Sequence, residues 1–338
     1  MDTNSPDSHD HEPSLAEANA RADRRRTPWL VAGALFLGLV GFCVIGGPVV
    51  MGLLNAWESA RRTMCADHLR QTARALQSHH EVHGAFPPGW IVEAEQPPAG
   101  TVSPAWAWQA MILPLLNTQQ TYLLPDDTAR PLSEVFQAAN VDQQELFAEA
   151  VEAFICPSDE AFAFDGANHP ARRWVVDGQP VAWGLSMSVG NTGHRHDIRG
   201  AEPNSGIFYG NSSVTLADVT DGISYTILIG ERDLTRCRAG TWVGIPDPWS
   251  HDGGPSIWNA VAGARPGINA EPWDGETLCG EGFSSLHPEG VNVALVDGSV
   301  RFLNSAIDAT WTADPTTGEV GVLQQMMMRS DGLEPMQP

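Results

Sequence analysis

The chain has 338 residues, 42% of them hydrophobic, with 12 Trp and 11 Phe, which supplies enough apolar side chain to bury a sizeable core and excludes a disordered protein. Asp and Glu number 41 against 19 basic residues, all of them Arg, for a formal charge of -22. A field of that sign repels a phosphate backbone and argues against a fold-wide nucleic-acid role.

Residues 1–20 are polar and acidic with scattered Pro and Ser, and residues 1–28 read as a disordered cytoplasmic tail in which His9 and His11 are solvated. The run Trp29 to Leu54, WLVAGALFLGLVGFCVIGGPVVMGLL, carries no charge. As a helix it extends ~39 Å at ~1.5 Å per residue, against a hydrocarbon core of ~30 Å, and it predicts a single transmembrane helix. A cleaved signal peptide, the rival reading, would have a shorter apolar region ending in a small-x-small site, and no clear site of that kind ends this run. Arg21, Arg24, Arg25 and Arg26 precede it, and Arg61 and Arg62 are the next cations. This bias predicts a cytoplasmic N-terminus and an extracytoplasmic domain over 55–338.

Cys43 lies in the apolar run, leaving Cys65, Cys156, Cys237 and Cys279. An even set suits disulfides in an oxidising compartment, with reduced core thiols as the other reading; three pairings are possible and the spacing does not choose among them. No CxxC pair points to a zinc ribbon.

From Asn55 to about His83 there is neither Gly nor Pro, and Cys65, Leu69, Ala73 and Leu76 recur at helical spacing opposite Arg61, Arg62, Arg70 and Arg74. The pattern predicts a helix continuous with the span, its apolar stripe lying on a sheet and its end set by Gly84 and Pro87-Pro88-Gly89. Beyond Gly89 the chain is punctuated by Gly, Pro and seven Asp-Gly dipeptides, the rhythm of short strands and turns. Pro131 to Phe154 predicts helical pieces. Ile223 to Gly230 predicts a central strand covered on both faces. Val291 to Asn304 predicts a hairpin with Asp297-Gly298 as a two-residue type I′ turn, pairing Leu295 with Val300, Val293 with Phe302 and Ala294 with Arg301. The expected class is therefore α+β: a long N-terminal helix packed on an antiparallel sheet, with long loops over about 95–210 and 233–283.

Several stretches, RRTMCADHLRQTARALQSHHEVHGAFPPG (61–89), WAWQAMILPLL (106–116), FICPSD (154–159), GIFYGNSSVTLADVTDGISYTILIGER (206–232) and FSSLHPEGVNVALVDGSVRFLNSAID (283–308), resemble the bacterial family known as domain of unknown function 1559. Its hallmark is a prepilin-type H-X9-DG motif, matched by His287, Asp297 and Gly298. The resemblance implies a pilin-like protein with a membrane-embedded N-terminal helix and no assigned reaction. The chain lacks the family's Gly-Phe-Thr-Leu-x-Glu processing site, and its span begins RRRTPWLVAGALF instead, so an uncleaved anchor is expected. Family members carry Cys at the positions of Cys65 and Cys156, which implies that these two pair and leaves Cys237 with Cys279 as a second bridge.

For chemistry, His287 at a strand entrance and Asp297 in a turn read as structural residues, because no nucleophile or second base adjoins them. His194 and His196, two apart, are weak metal candidates if they share a strand face, and otherwise are loop histidines. Asp218 to Asp221 offers a mild calcium possibility without EF-hand spacing. Glu231, ending a strand beside Arg232, reads as a buried ion-pair partner or cap. Trp242, Trp249, Trp258 and Trp273, set among Gly, Pro and Asp, suit either core packing or sugar stacking. No P-loop, G-x-G-x-x-G, G-x-S-x-G or H-E-x-x-H occurs, which argues against the commonest enzyme classes. The expected function is a non-enzymatic, cofactor-free envelope protein that contacts the cytoplasmic membrane and secretion- or pilus-like components. The alternative is an anchored carbohydrate- or calcium-binding module.

Overall fold

A computed structural model describes residues 31–33, 35–36, 38, 42, 47–93, 103–116, 118, 130–159, 173–176, 179–237, 239–249, 257–271, 278–316 and 318–333. The chain divides into two units, 1–59 and 60–338. In the first, the described side chains of Val31, Leu35, Phe36, Phe42, Val49, Val50, Met51, Leu53, Leu54 and Trp57 are exposed. Among the described residues no helix is long and apolar enough to cross a membrane. Residues 29, 30, 34, 37, 39–41 and 43–46 of the apolar run, and the whole tail 1–28, lie outside the described residues.

Helix α1 runs Gly47–His83 and buries Cys65, Leu69, Thr72, Ala73, Ala75 and Leu76, the stripe that period 3.6 places on one face. Gly84 closes it with φ +79, its N–H returning to the His80 carbonyl at 2.8 Å, as a C-terminal glycine does where an L side chain would be strained. In the second unit the helix packs on a five-stranded sheet. Its strands are β1 Ser188–Gly193, β2 Ile227–Glu231, β3 Val261–Gly263, β4 Gly290–Leu295 and β5 Val300–Asn304, in the spatial order β5-β4-β2-β1-β3.

The sheet is mixed rather than purely antiparallel. β4 pairs antiparallel with both β5 and β2, and β2 with β1, but β3 runs parallel to β1. The chain reverses from β1 into β2 and again into β3, which brings β3 back in the direction of β1 along its free edge. Two of the five strands, β1 and β3, lie within segments expected to be loops.

Strand pairing distributes side chains to two faces. Ile229, Ala294 and Val296 join Leu69, Ala73 and Leu76 of α1 in one apolar core, together with Trp108 and Phe208. Val189, Val291, Val293 and Leu295 join Phe283 and helix α4, Val322–Met327, on the other. The predicted helical pieces are α2, Leu132–Ala138, and α3, Val141–Ala148. α3 opens with a capping box: the Asn140 side chain accepts from the Gln143 N–H, and the Gln143 side chain accepts from the Asn140 N–H. The central strand begins at Ile227 rather than Ile223, because residues 223–226 form a turn in which the N–H groups of Tyr225 and Thr226 both reach the Gly222 carbonyl. All five residues of β2 are buried.

The hairpin register differs by one residue from expectation: Ala294 faces Val300, Val293 faces Arg301 and Asn292 faces Phe302. Its loop has three residues. Leu295 and Ser299 close it at 2.8 Å, and the Gly298 N–H reaches the Leu295 carbonyl at 2.9 Å. Only Gly298 has positive φ, +81, so the turn is a type I turn followed by a left-handed bulge residue, not type I′. The one-residue difference sends Val300 and Phe302 to the helix side, where Arg62 of α1 lies over the Phe302 ring at 3.8 Å.

Candidate functional site

The site is built where α1, β2 and the entrance to β4 meet. Cys65, one turn before Leu69 on the buried stripe, bonds to Cys156. The helix also fixes the strand of chain that carries Cys156: His68 Nδ1 lies 2.7 Å from the Ile155 carbonyl and the Thr72 hydroxyl 3.2 Å from that of Ala153. From the sheet side, Met187 donates its N–H to Phe154 O at 2.7 Å. Disulfides persist in oxidising compartments, so this bridge marks an extracytoplasmic domain.

His287 reaches the same spot from the segment before β4. Its Nε2 lies 3.5 Å from Cys156 Sγ and 3.4 Å from Glu231 Oε1, and its backbone N–H donates to Ser285 Oγ at 3.2 Å. Glu231 ends β2 on the helix-facing side, 3% exposed. Asn292 of β4 donates to it twice, from the backbone N–H at 2.7 Å and from Nδ2 at 2.9 Å. The neighbouring Arg232 points away and is wholly buried, donating Nε to the Gly282 carbonyl and Nη2 to that of Val261, each at 2.8 Å. Among the described residues, Cys65, Cys156, Glu231 and His287 are the one group of His, Cys, Asp or Glu side chains gathered closely enough to ligate a single ion.

The two ends of the H-X9-DG motif lie at opposite ends of β4. Asp297 sits in the turn, where Oδ1 accepts from the Ser299 N–H at 2.8 Å and the Ser299 hydroxyl at 2.6 Å. Partial burial pushes its carboxyl up, but the hydrogen bonds from Ser299 and Ser224 prevail and hold it below the usual carboxylate range. Gln77 of α1 donates to the Val296 carbonyl at 3.0 Å, so the turn is tied to the helix as His287 is tied to the disulfide.

The other candidates fall elsewhere. His194 Nδ1 lies 2.8 Å from Ser205 Oγ, and the His196 ring meets Trp311 edge-on, centroids 5.5 Å apart. Burial lowers the pKa of both, with Arg195 adding to the effect at His194 and Arg265 at His196. Asp218 accepts from the N–H and hydroxyl of Thr215, both at 2.8 Å, and Asp221 from the N–H of Asp331 at 2.6 Å. Trp242 is fully buried and stacks on Phe147 with centroids 6.3 Å apart, Trp249 and Trp258 are half-buried, and Trp273 lies outside the described residues. Cys237 is buried, whereas the side chain of Cys279 lies outside the described residues. The contribution of Asn292 was not visible in the sequence; its signal is a polar residue at a position of β4 that faces the core.

A family model described as Protein of unknown function (DUF1559) matches residues 55–310. No curated protein and no solved structure matches the chain.

Proposed function

The chain belongs to the DUF1559 family, and from that premise we propose that it is a non-enzymatic, single-pass, pseudopilin-like envelope protein. Its N-terminus is cytoplasmic and its disulfide-bonded domain projects outward to contact other envelope components. The observation that carries this reading is the length of α1. One uninterrupted helix begins with exposed Val49, Val50, Met51, Leu53 and Leu54 and continues to the buried stripe Cys65 to Leu76. Large apolar side chains exposed together on a helix call for lipid or a partner, and the uncharged residues that precede them supply the length a bilayer requires. The acidic charge keeps the projecting domain soluble.

The test is fractionation of native cells followed by mass spectrometry of the intact chain. The expected result is recovery in the membrane fraction with the N-terminal residues retained, and release to the soluble fraction when residues 29–54 are deleted. A new terminus between residues 30 and 60 would overturn the uncleaved anchor.

A further inference from the structure

We propose that reduction of the Cys65–Cys156 bond converts this corner of the fold into a closed binding site for zinc or a metal of similar chemistry, with Cys65, Cys156, His287 and Glu231 as its four ligands. The four ligating atoms already lie within 4.8 Å of one another. Tetrahedral zinc has Zn–S near ~2.3 Å and Zn–N and Zn–O near ~2.1 Å, which sets ligand-to-ligand edges of about 3.6 Å for sulfur to nitrogen and about 3.4 Å for nitrogen to oxygen. The corresponding separations are 3.5 Å from Cys156 Sγ to His287 Nε2 and 3.4 Å from His287 Nε2 to Glu231 Oε1. Two edges of the tetrahedron are therefore in place while the disulfide is intact; the sulfurs must separate to about 3.8 Å, and the other three edges start from separations of no more than 4.8 Å.

The chemistry balances simply. A dithiol reductant is oxidised to its own disulfide and leaves thiols at Cys65 and Cys156. The metal displaces one proton from each thiol, and neutral His287 coordinates through Nε2. Two sulfurs, one imidazole and one carboxylate favour zinc or cobalt(II) over calcium or magnesium. Asn292, with two hydrogen bonds to Glu231, orients the carboxylate as an outer-shell partner does. All four ligands are buried, leaving no open coordination position, so the site is structural rather than catalytic. Oxidation and metal binding then become alternative ways of closing the same junction, the second open to a chain whose thiols have not yet been oxidised.

The experiment titrates cobalt(II), as a spectroscopic stand-in for zinc, into the full-length protein in detergent, before and after reduction by a dithiol that is then removed. The expected result is one equivalent of tetrahedral cobalt with thiolate-to-metal charge-transfer absorption in the reduced protein only. Cys65→Ser should abolish that spectrum, and Asn292→Ala should weaken affinity roughly 10–100-fold. Zinc should protect Cys65 and Cys156 from alkylation. No thiolate-to-cobalt absorption in a reduced, folded protein would overturn the proposal, as would a spectrum unchanged in Cys65→Ser, which would place the ion on other cysteines. If reduction unfolds the domain, failure of zinc to restore its near-ultraviolet circular dichroism would overturn it as well.

Discussion

Asn292 presents two N–H groups to the buried carboxylate of Glu231, at 2.7 and 2.9 Å, and thereby ties β4 to β2 beside the disulfide through side chains as well as backbone. Charge-assisted hydrogen bonds of this kind are short and about twice as strong as neutral ones. Glu231→Ala should leave both donors of Asn292 without this acceptor and remove the carboxylate beside His287, at a cost of roughly 2–5 kcal/mol. Asn292→Ala should cost less, because the carboxylate keeps the backbone N–H. Denaturant unfolding of the two variants checks the order.

Removal of the bridge by Cys65→Ser should destabilise the domain by about 2–5 kcal/mol. The half-cystines are 91 residues apart, and the bridge limits the freedom of the intervening chain in the unfolded state. The urea midpoint of the variant should match that of the reduced wild type measured without added metal.

At the hairpin tip, Gly298→Val should lower stability by at least about 1–2 kcal/mol, the cost of a left-handed conformation for an L residue. A Cβ there would also come within 2.9 Å of Gln77 Oε1. Gly298→Asn should be milder, since Asn tolerates this region of φ. Equal melting temperatures for the Val and Asn variants would contradict the turn assignment.

Asp331 provides a pH signature. Its carboxyl is raised above the ordinary range by burial, and the nearby Asp221 charge pushes it further in the same direction. A raised folded-state pKa means that the contribution to stability is fully present below the unfolded value and is lost as pH rises through the folded one. Asp331→Asn should therefore raise the melting temperature by an increment that grows as pH climbs through that interval and then levels off. A constant increment would argue against the shift.

Much of this architecture was legible because it rests on local periodicity. The stripe Cys65, Leu69, Ala73 and Leu76 repeats every turn, and Gly84 marks its end. The hairpin was visible from alternation, but Asp-Gly is compatible with both two- and three-residue loops, and the choice between them shifts every cross-strand pair. β1 was hidden for a different reason. Its sequence SVGNTG carries no run of bulky apolar residues because the space is filled from elsewhere: a Cβ on Gly190 would lie 2.6 Å from the Phe208 ring and 2.9 Å from Trp108 Nε1, two rings stacked 5.1 Å apart. Three short residues VAG form β3, too few to show a period. The candidate site was legible only in pieces. His287 and the two cysteines stood out singly, but their meeting with Glu231 depends on strand order and register, which no short-range pattern encodes.

The central claim is that a disulfide between helix α1 and the Cys156 segment holds an extracytoplasmic domain together next to His287. Peptide mapping without reduction, on protein purified from native envelopes with free thiols alkylated at lysis, tests it most directly. The account predicts a cross-linked peptide pair containing Cys65 and Cys156, with neither residue alkylated. Alkylated Cys65 and Cys156, or a bridge from either to another cysteine, would contradict it.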